Sequence, residues 1–404
     1  MKPPVIETGA GREAASGPTG RLAARPNFRL IAFLSLGHLV VDINPGALAA
    51  LLPFLKAAHG LSYVAVGTMV LVTNLTSSVI QPVFGYLADG RPSRWMLPLS
   101  VMLAGLGISL TGVAPGYGTV LGLLVLMGLG VASFHPEGYR SASSVAGERR
   151  ATAISWFSVG GNVGFSLGPP LVTALVAAYG LRGSLGMLLP SILVSGLLLW
   201  VLPGLVRQPA PAAPRSAAEP KPRKMPGAIT LLILVVALRS WSQLGFTTFL
   251  PFYYVDYLKA DPHSVGVPLF VFLATGAVGT VIGGPLADRW GVRRFMLVAF
   301  LSAGPLGALF MLSHGVPALI FLGLFGGVLI STFTITVVLG QSYLPGNAGL
   351  AAGLIVGFAI GTGGAAVTFL GWMADHYGLP AVLWVAALMP LVCWAGTLLL
   401  PKPD

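Results

Sequence analysis

The chain has 404 residues, 55% of them hydrophobic and only 9% charged. Soluble domains carry about 25% charged residues, so this composition excludes an ordinary soluble enzyme or binding module and points to a membrane protein with many spans. The net charge of +11 would suggest nucleic acid in a soluble chain, but its distribution has another explanation and no nucleic-acid partner is expected.

Residues 1–27 are rich in Pro, Gly, Ala and Arg and have no apolar core. A cleavable signal peptide needs one, so the segment reads as a disordered cytoplasmic tail. Apolar runs of about 20 residues, enough to span a bilayer, then recur down the chain. They fall at 28–58, 62–88, 95–114, 118–144, 150–178, 183–204, 227–258, 264–287, 295–313, 317–343, 347–375 and 379–400. The 150–178 and 347–375 runs are weakened by glycine. They are kept because the basic loops require an even number of spans between them.

Those loops set the orientation. Arg12, Arg21, Arg25 and Arg29 precede span 1; Arg91 and Arg94 follow span 2; Arg149 and Arg150 follow span 4. Arg207, Arg215, Lys221, Arg223 and Lys224 follow span 6, and Arg289, Arg293 and Arg294 follow span 8. The alternate loops hold Lys56, Arg182 and Lys259. Short cytoplasmic loops are enriched in Lys and Arg, so both termini are expected in the cytoplasm. The positive charge is then a topogenic signal.

The chain repeats at half its length. Leu52-Pro53-Phe54 returns as Leu250-Pro251-Phe252, Leu87-Ala88-Asp89 as Leu286-Ala287-Asp288, and Tyr179-Gly180-Leu181 as Tyr377-Gly378-Leu379. The expected fold is an all-α membrane protein of twelve transmembrane helices in two pseudo-symmetric six-helix bundles. The bundles occupy 28–204 and 227–404, with a Pro/Ala/Lys/Arg-rich cytoplasmic linker at 205–226. The expected partners are the lipid bilayer, protons and a small-molecule substrate, with the chain acting as a monomer. The single cysteine, Cys393, excludes an internal disulfide and a cysteine-based metal cluster. No metal or cofactor is expected.

Gly85-Tyr86-Leu87-Ala88-Asp89-Gly90-Arg91-Pro92-Ser93-Arg94 and Gly284-Pro285-Leu286-Ala287-Asp288-Arg289-Trp290-Gly291-Val292-Arg293-Arg294 follow spans 2 and 8. Both resemble the G-x-L-A-D-R-x-G-R-R loop signature of the major facilitator superfamily. Pro92 stands where that signature has glycine. Span 5 carries Gly160, Gly164, Gly168 and Pro169 at four-residue spacing, which resembles the antiporter signature of drug–proton exchangers. Its span 11 counterpart lacks the proline. The blocks around Gly37-His38 and Asp42, Gln81-Pro82, Phe134-His135-Pro136-Glu137 and Gly161-Asn162 resemble the fosmidomycin-resistance branch of the superfamily.

This resemblance implies a bacterial inner-membrane antiporter, driven by the proton gradient, that exports a fosmidomycin-like phosphonate or other drug by alternating access. A proton-coupled importer of a small organic anion is the alternative. An enzyme is not expected. The gate is expected at Asp89, Arg94, Asp288, Arg289, Arg293, Gly164, Gly168 and Pro169.

The chemistry is expected at polar groups buried in apolar runs. A carboxylate near a bilayer centre costs about 2.5–3.5 kcal/mol, so Glu137, two residues from His135 in a nearly apolar run, invites a function. The antiporter signature's wider family places an arginine midway along span 4, and Val120–Ala132 has none. Counted at about 1.5 Å per residue from the span ends, His38, Asp42, His135, Glu137 and Arg239 lie at comparable depths. Asp42 and Glu137 are therefore expected to bind and release the coupling proton, with His38 and His135 as relays. Arg239 is expected to grip an anionic substrate group or to pair with Asp42 or Glu137. Asn44, Gln81, Asn162 and Gln243 are candidate cavity polar groups, and Trp156, Trp241 and Phe246 candidate apolar walls.

Overall fold

The computed structural model describes residues 27–84, 94–146, 150–206, 225–344, 351, 354–355 and 360–401. Twelve α-helices lie among them: α1 Phe28–His59, α2 Tyr63–Asn74, α3 Met96–Leu110, α4 Tyr117–Val145, α5 Arg150–Tyr179 and α6 Leu188–Val206 in the first half. The second half holds α7 Pro226–Phe252, α8 Gly266–Trp290, α9 Val292–Leu312, α10 Gly315–Tyr343, α11 Ile360–Tyr377 and α12 Leu379–Leu398. Ten helical stretches are long and apolar enough to cross a membrane, and one of them, Ile154–Gly204, contains both α5 and α6. The glycine-rich α11 is not among the ten. The linker expected at 205–226 lies mostly outside the described residues, as does Asp89.

Helix ends follow from local chemistry. The Asn27 side chain accepts from Leu30 N and caps α1, and Ser62 accepts from Ala65 N and caps α2, which satisfies amide groups that have no partner within the helix. Gly180 after α5 and Gly378 after α11 both have positive φ, 62° and 81°, a backbone that glycine adopts without a Cβ clash. These are the two glycines of the sequence repeat.

The repeat is visible in the backbone as well. Asn27 N donates to Val145 O at 2.9 Å, tying the start of α1 to the end of α4. Met225 N donates to Tyr343 O at 3.0 Å, tying the start of α7 to the end of α10. Both residues of the second pair stand 198 positions after those of the first, the offset of Leu52 to Leu250 and of Tyr179 to Tyr377.

Within the first half, α1 and α5 cross closely because glycines line the contact. A Cβ on Gly160, Gly164 or Gly168 would strike the backbone of Ser35, Leu39 or Ile43. Small residues that let helix backbones approach are the usual adhesive in lipid, where apolar side chains gain little by leaving the bilayer. Gly164 and Gly168 thus join two helices of one half. Pro169 reaches the other half, its carbonyl lying against Gly266 of α8.

The halves meet through α2 with α11 and α5 with α8, and they touch at the end opposite Asn27 and Met225. Gly67 of α2 lies against the backbone of Thr368 in α11, and Gly266 against Pro170. Polar groups seal this end. Tyr63 Oη donates to Asp256 Oδ2 at 2.6 Å, and Lys56 Nζ lies 3.6 Å from the same oxygen and 4.5 Å from the Tyr63 ring centroid. Asp375 accepts from the backbone N–H groups of Tyr63 and Val64 at 2.9 and 3.0 Å. The N-terminus of one half's helix is therefore capped by a carboxylate of the other.

Candidate functional site

Three of the expected residues converge in the interior of the first half. His38 and Asp42 stand four apart on α1 and share a face; His135 reaches them from α4. His38 Nε2 is 3.2 Å from Asp42 Oδ2, His135 Nε2 is 3.5 Å from Asp42 Oδ1, and the two Nε2 atoms are 3.2 Å apart. His38 is almost fully buried, whereas Asp42 and His135 keep 17% and 18% of their side-chain surface. The cluster is enclosed but reachable.

The hydrogen bonds fix which ring nitrogens carry protons. His38 Nδ1 lies 2.8 Å from the Phe157 carbonyl and His135 Nδ1 lies 2.8 Å from the Val131 carbonyl. A carbonyl only accepts, so each Nδ1 is the N–H donor, and in a neutral ring Nε2 then bears a lone pair. With both rings neutral, two lone pairs then lie 3.2 Å apart beside a carboxylate. That arrangement is repulsive unless a positive species sits among the three groups.

Aromatic rings hold it in place. Phe157 stacks on His38 with centroids 4.2 Å apart, and Tyr139 meets His38 edge-on at 6.0 Å. Gly161 of α5 forms the adjoining wall: a Cβ there would lie 2.5 Å from His38 Nε2 and 2.7 Å from Asp42 Oδ2.

Glu137 is in a different place from the one expected. Two residues along a helix turn the side chain by about 200°, so Glu137 leaves the face that carries His135. It is buried, accepts from Ser141 Oγ at 3.3 Å, and has Arg140 Nη1 at 3.9 Å. Arg94, expected in an exposed gate loop, is buried and interacts electrostatically with Glu137. Glu137 therefore belongs to an arginine-rich group near the end of α4, with Arg140 and Arg94 as its charged neighbours. Arg140 was not anticipated from sequence; the i,i+3 spacing to Glu137 was the available signal.

Arg239 is buried in the second half. Its Nε donates to Thr332 Oγ1 at 3.2 Å and its Nη2 to the carbonyls of Leu329 and Ile330 at 3.3 and 3.4 Å. Phe333 lies 5.5 Å beneath the guanidinium. Among the described residues no carboxylate is within ion-pair distance, so the pairing with Asp42 or Glu137 considered above is not made in this conformation.

The other candidates divide. Phe246 is fully buried among Phe272, Phe310 and Phe325; its size fills the core of the second half, and it is not a cavity wall. Asn44 is fully buried and donates to the Val40 and Val41 carbonyls of its own helix, so it too is internal. Asn162 is exposed, while Gln81, Gln243 and Trp241 are half-buried. Trp156 is exposed beside an apolar groove of about 450 Å³ between α1 and α5, lined also by Phe28, Leu36 and Val163. A groove of about 740 Å³ between α8, α9 and α10 is almost wholly apolar and shares no residue with the cluster. Asp288 and Arg289 are exposed, and Arg293 donates from Nη2 to the Leu398 carbonyl at 2.7 Å.

Helices in two related halves, ten of their stretches among the described residues long and apolar enough to cross a membrane, with buried ionisable groups inside, have the form of a multi-pass membrane protein. The Major Facilitator Superfamily family model matches residues 34–258 and 232–404, and the chain belongs to that superfamily. It is 32% identical over 393 residues to the fosmidomycin resistance protein of Escherichia coli (strain K12), covering 94% of each chain. It is also 32% identical to an uncharacterised transporter of the same superfamily, YfnC of Bacillus subtilis (strain 168), covering 90% of this chain and 91% of that one. In fold it is similar to a bacterial homologue of the human lysosomal transporter Spinster in an inward-facing, unoccupied state. The TM-score is 0.75 at 16% identity, over 92% of this chain and 96% of that one. A D-xylose–proton symporter gives a TM-score of 0.73 at 14% identity, over 93% and 98%.

Proposed function

We propose that this chain is a proton-coupled antiporter of the bacterial inner membrane that exports a small anionic toxic compound of the phosphonate class by alternating access. The observation that carries the reading is the opposition of the His38 and His135 Nε2 lone pairs beside Asp42. A proton shared by the two imidazoles, with Asp42 as its counter-ion, relieves that repulsion. Reopening the cluster to the other side releases it. The partial exposure of Asp42 and His135 gives the proton a route.

Similarity to the fosmidomycin resistance protein supports the export direction and the substrate class. Arg239 supports the anion: its guanidinium is held by neutral groups only, and it offers the planar fork that suits a phosphonate. With the termini in the cytoplasm, the closed end is periplasmic and the conformation is inward-facing. The protein works as a monomer, its two halves rocking against each other.

The test is proton movement in everted vesicles. Addition of fosmidomycin should dissipate an acid-inside gradient with the wild type and not with Asp42→Asn at equal protein level. Proton movement that Asp42→Asn leaves intact, or that only an importer would produce, defeats the reading.

A further inference from the structure

We propose that His38, Asp42 and His135 form a binding site for one divalent transition-metal ion of the zinc class. Among the described residues they are a group of three potential ligands whose ligand atoms all lie within 4.8 Å of one another. Sequence reasoning expected no metal because the cysteines needed for a common zinc motif are absent. The fold supplies a histidine–histidine–carboxylate set instead, from positions 97 residues apart on α1 and α4.

Three independent features fit such an ion. The first is spacing. Zinc takes imidazole nitrogen and carboxylate oxygen at about 2.0–2.2 Å with tetrahedral angles, which sets neighbouring ligand atoms about 3.3–3.5 Å apart. The two Nε2 atoms are 3.2 Å apart, and Asp42 turns one oxygen toward each ring, Oδ2 at 3.2 Å from His38 and Oδ1 at 3.5 Å from His135; taken with a single carboxylate oxygen, the three ligand atoms lie within 4.8 Å of one another. A modest outward shift of Asp42 would complete the set.

The second is ring orientation. A metal-binding histidine normally donates its second ring N–H to a backbone carbonyl or carboxylate, which fixes the tautomer and directs the other nitrogen to the ion. Both rings do this, to Phe157 and Val131, which leaves both Nε2 atoms for an ion, 3.2 Å apart and each beside an Asp42 oxygen. One such bond is common in any buried histidine; two, on rings whose Nε2 atoms are neighbours, are what a metal site requires.

The third is composition and access. Two imidazoles with one carboxylate favour zinc, cobalt, nickel or copper, whereas calcium and magnesium take mostly oxygen ligands. Gly161 keeps the approach free of side-chain bulk. The partial exposure of Asp42 and His135 leaves room for a fourth ligand, water or substrate.

None of this rests on the proposed antiport. It concerns the same atoms, so an ion bound there would displace the coupling proton and inhibit transport, and only that consequence rests on the earlier reading.

The experiment is direct binding to the full-length, untagged protein in detergent, without a gradient. Zinc content after dialysis gives the stoichiometry, and the visible absorption of Co²⁺ reports tetrahedral coordination. One ion per chain is expected. Affinity should fall at least tenfold in Asp42→Asn and in His135→Gln, and stay unchanged in Glu137→Gln. The exposed Asp261–His263 pair is a second control, and His263→Gln should also bind normally.

Should the variants fail to fold, the wild type alone decides: zinc should raise its melting temperature, and magnesium at the same concentration should not. Absence of stoichiometric uptake by the wild type overturns the proposal, as does uptake that survives His38→Gln combined with His135→Gln. Transport assays with a chelator present test the antiport separately, so each idea can fail without the other.

Discussion

Tyr63 of the first half donates its hydroxyl to Asp256 of the second at 2.6 Å, and Lys56 adds its charge to the same carboxylate. A hydrogen bond to a charged group is worth about 1.5–3 kcal/mol when buried; here both partners are partly solvated, so about 1 kcal/mol is appropriate. Tyr63→Phe should raise the population of molecules open at this end about fivefold. Spin labels placed across the α2–α11 seam would show a longer-distance component growing by that factor, and an unchanged distance distribution would remove the bond from the closure.

Asp375 closes the same end in another way. It caps the first two amides of α2 from across the molecule, and losing a helix cap costs about 0.5–2 kcal/mol. Asp375→Ala should therefore both fray α2 at Tyr63 and open the seam. Hydrogen exchange at residues 63–66 should accelerate more than at the matched start of α8, which has no such inter-half cap. Equal acceleration at both would argue for a general loss of stability.

Gly161 and Gly164 allow two kinds of failure to be separated. An alanine methyl at 161 would intrude on His38 and Asp42, and one at 164 would strike the Leu39 carbonyl. Overpacking of this kind costs about 1–3 kcal/mol. Gly164→Ala should lower the melting temperature, while Gly161→Ala should lose drug-dependent proton movement with a smaller stability change. Gly122, with nothing within 4 Å of an added Cβ, is the control and should tolerate alanine in both assays.

Arg239 gives a substrate test. Lysine keeps the charge but loses the fork that Thr332 and the Leu329 and Ile330 carbonyls orient. Arg239→Lys should raise the concentration needed for half-maximal phosphonate export at least tenfold, with proton binding at the Asp42 cluster intact. A variant that exports normally would reduce Arg239 to a link between α7 and α10.

Much of this architecture could be read in the residues, because span length is dictated by bilayer thickness and the repeat kept one offset. The His38, Asp42 and His135 meeting was foreshadowed by depth counting along oppositely directed helices. Depth counting put Glu137 level with the cluster but could not give its direction, because a helix sends residues two apart to nearly opposite sides. Phe246 and Asn44 were assigned to a cavity, but depth alone does not say which face of a helix looks inward. The Tyr63, Asp256 and Asp375 contacts join residues up to 312 positions apart. No local pattern in either half announces a bond to the other.

The seal between the halves has a kinetic meaning. Lys56, Tyr63, Asp256 and Asp375 are polar groups that water can reclaim as soon as they part. This part of the closure is held by charge and dipole, and added electrolyte weakens it over a Debye length of about 10 Å at 0.1 M. The resting bias of this machine should therefore drift with the ionic strength bathing that one side, even when nothing is being carried.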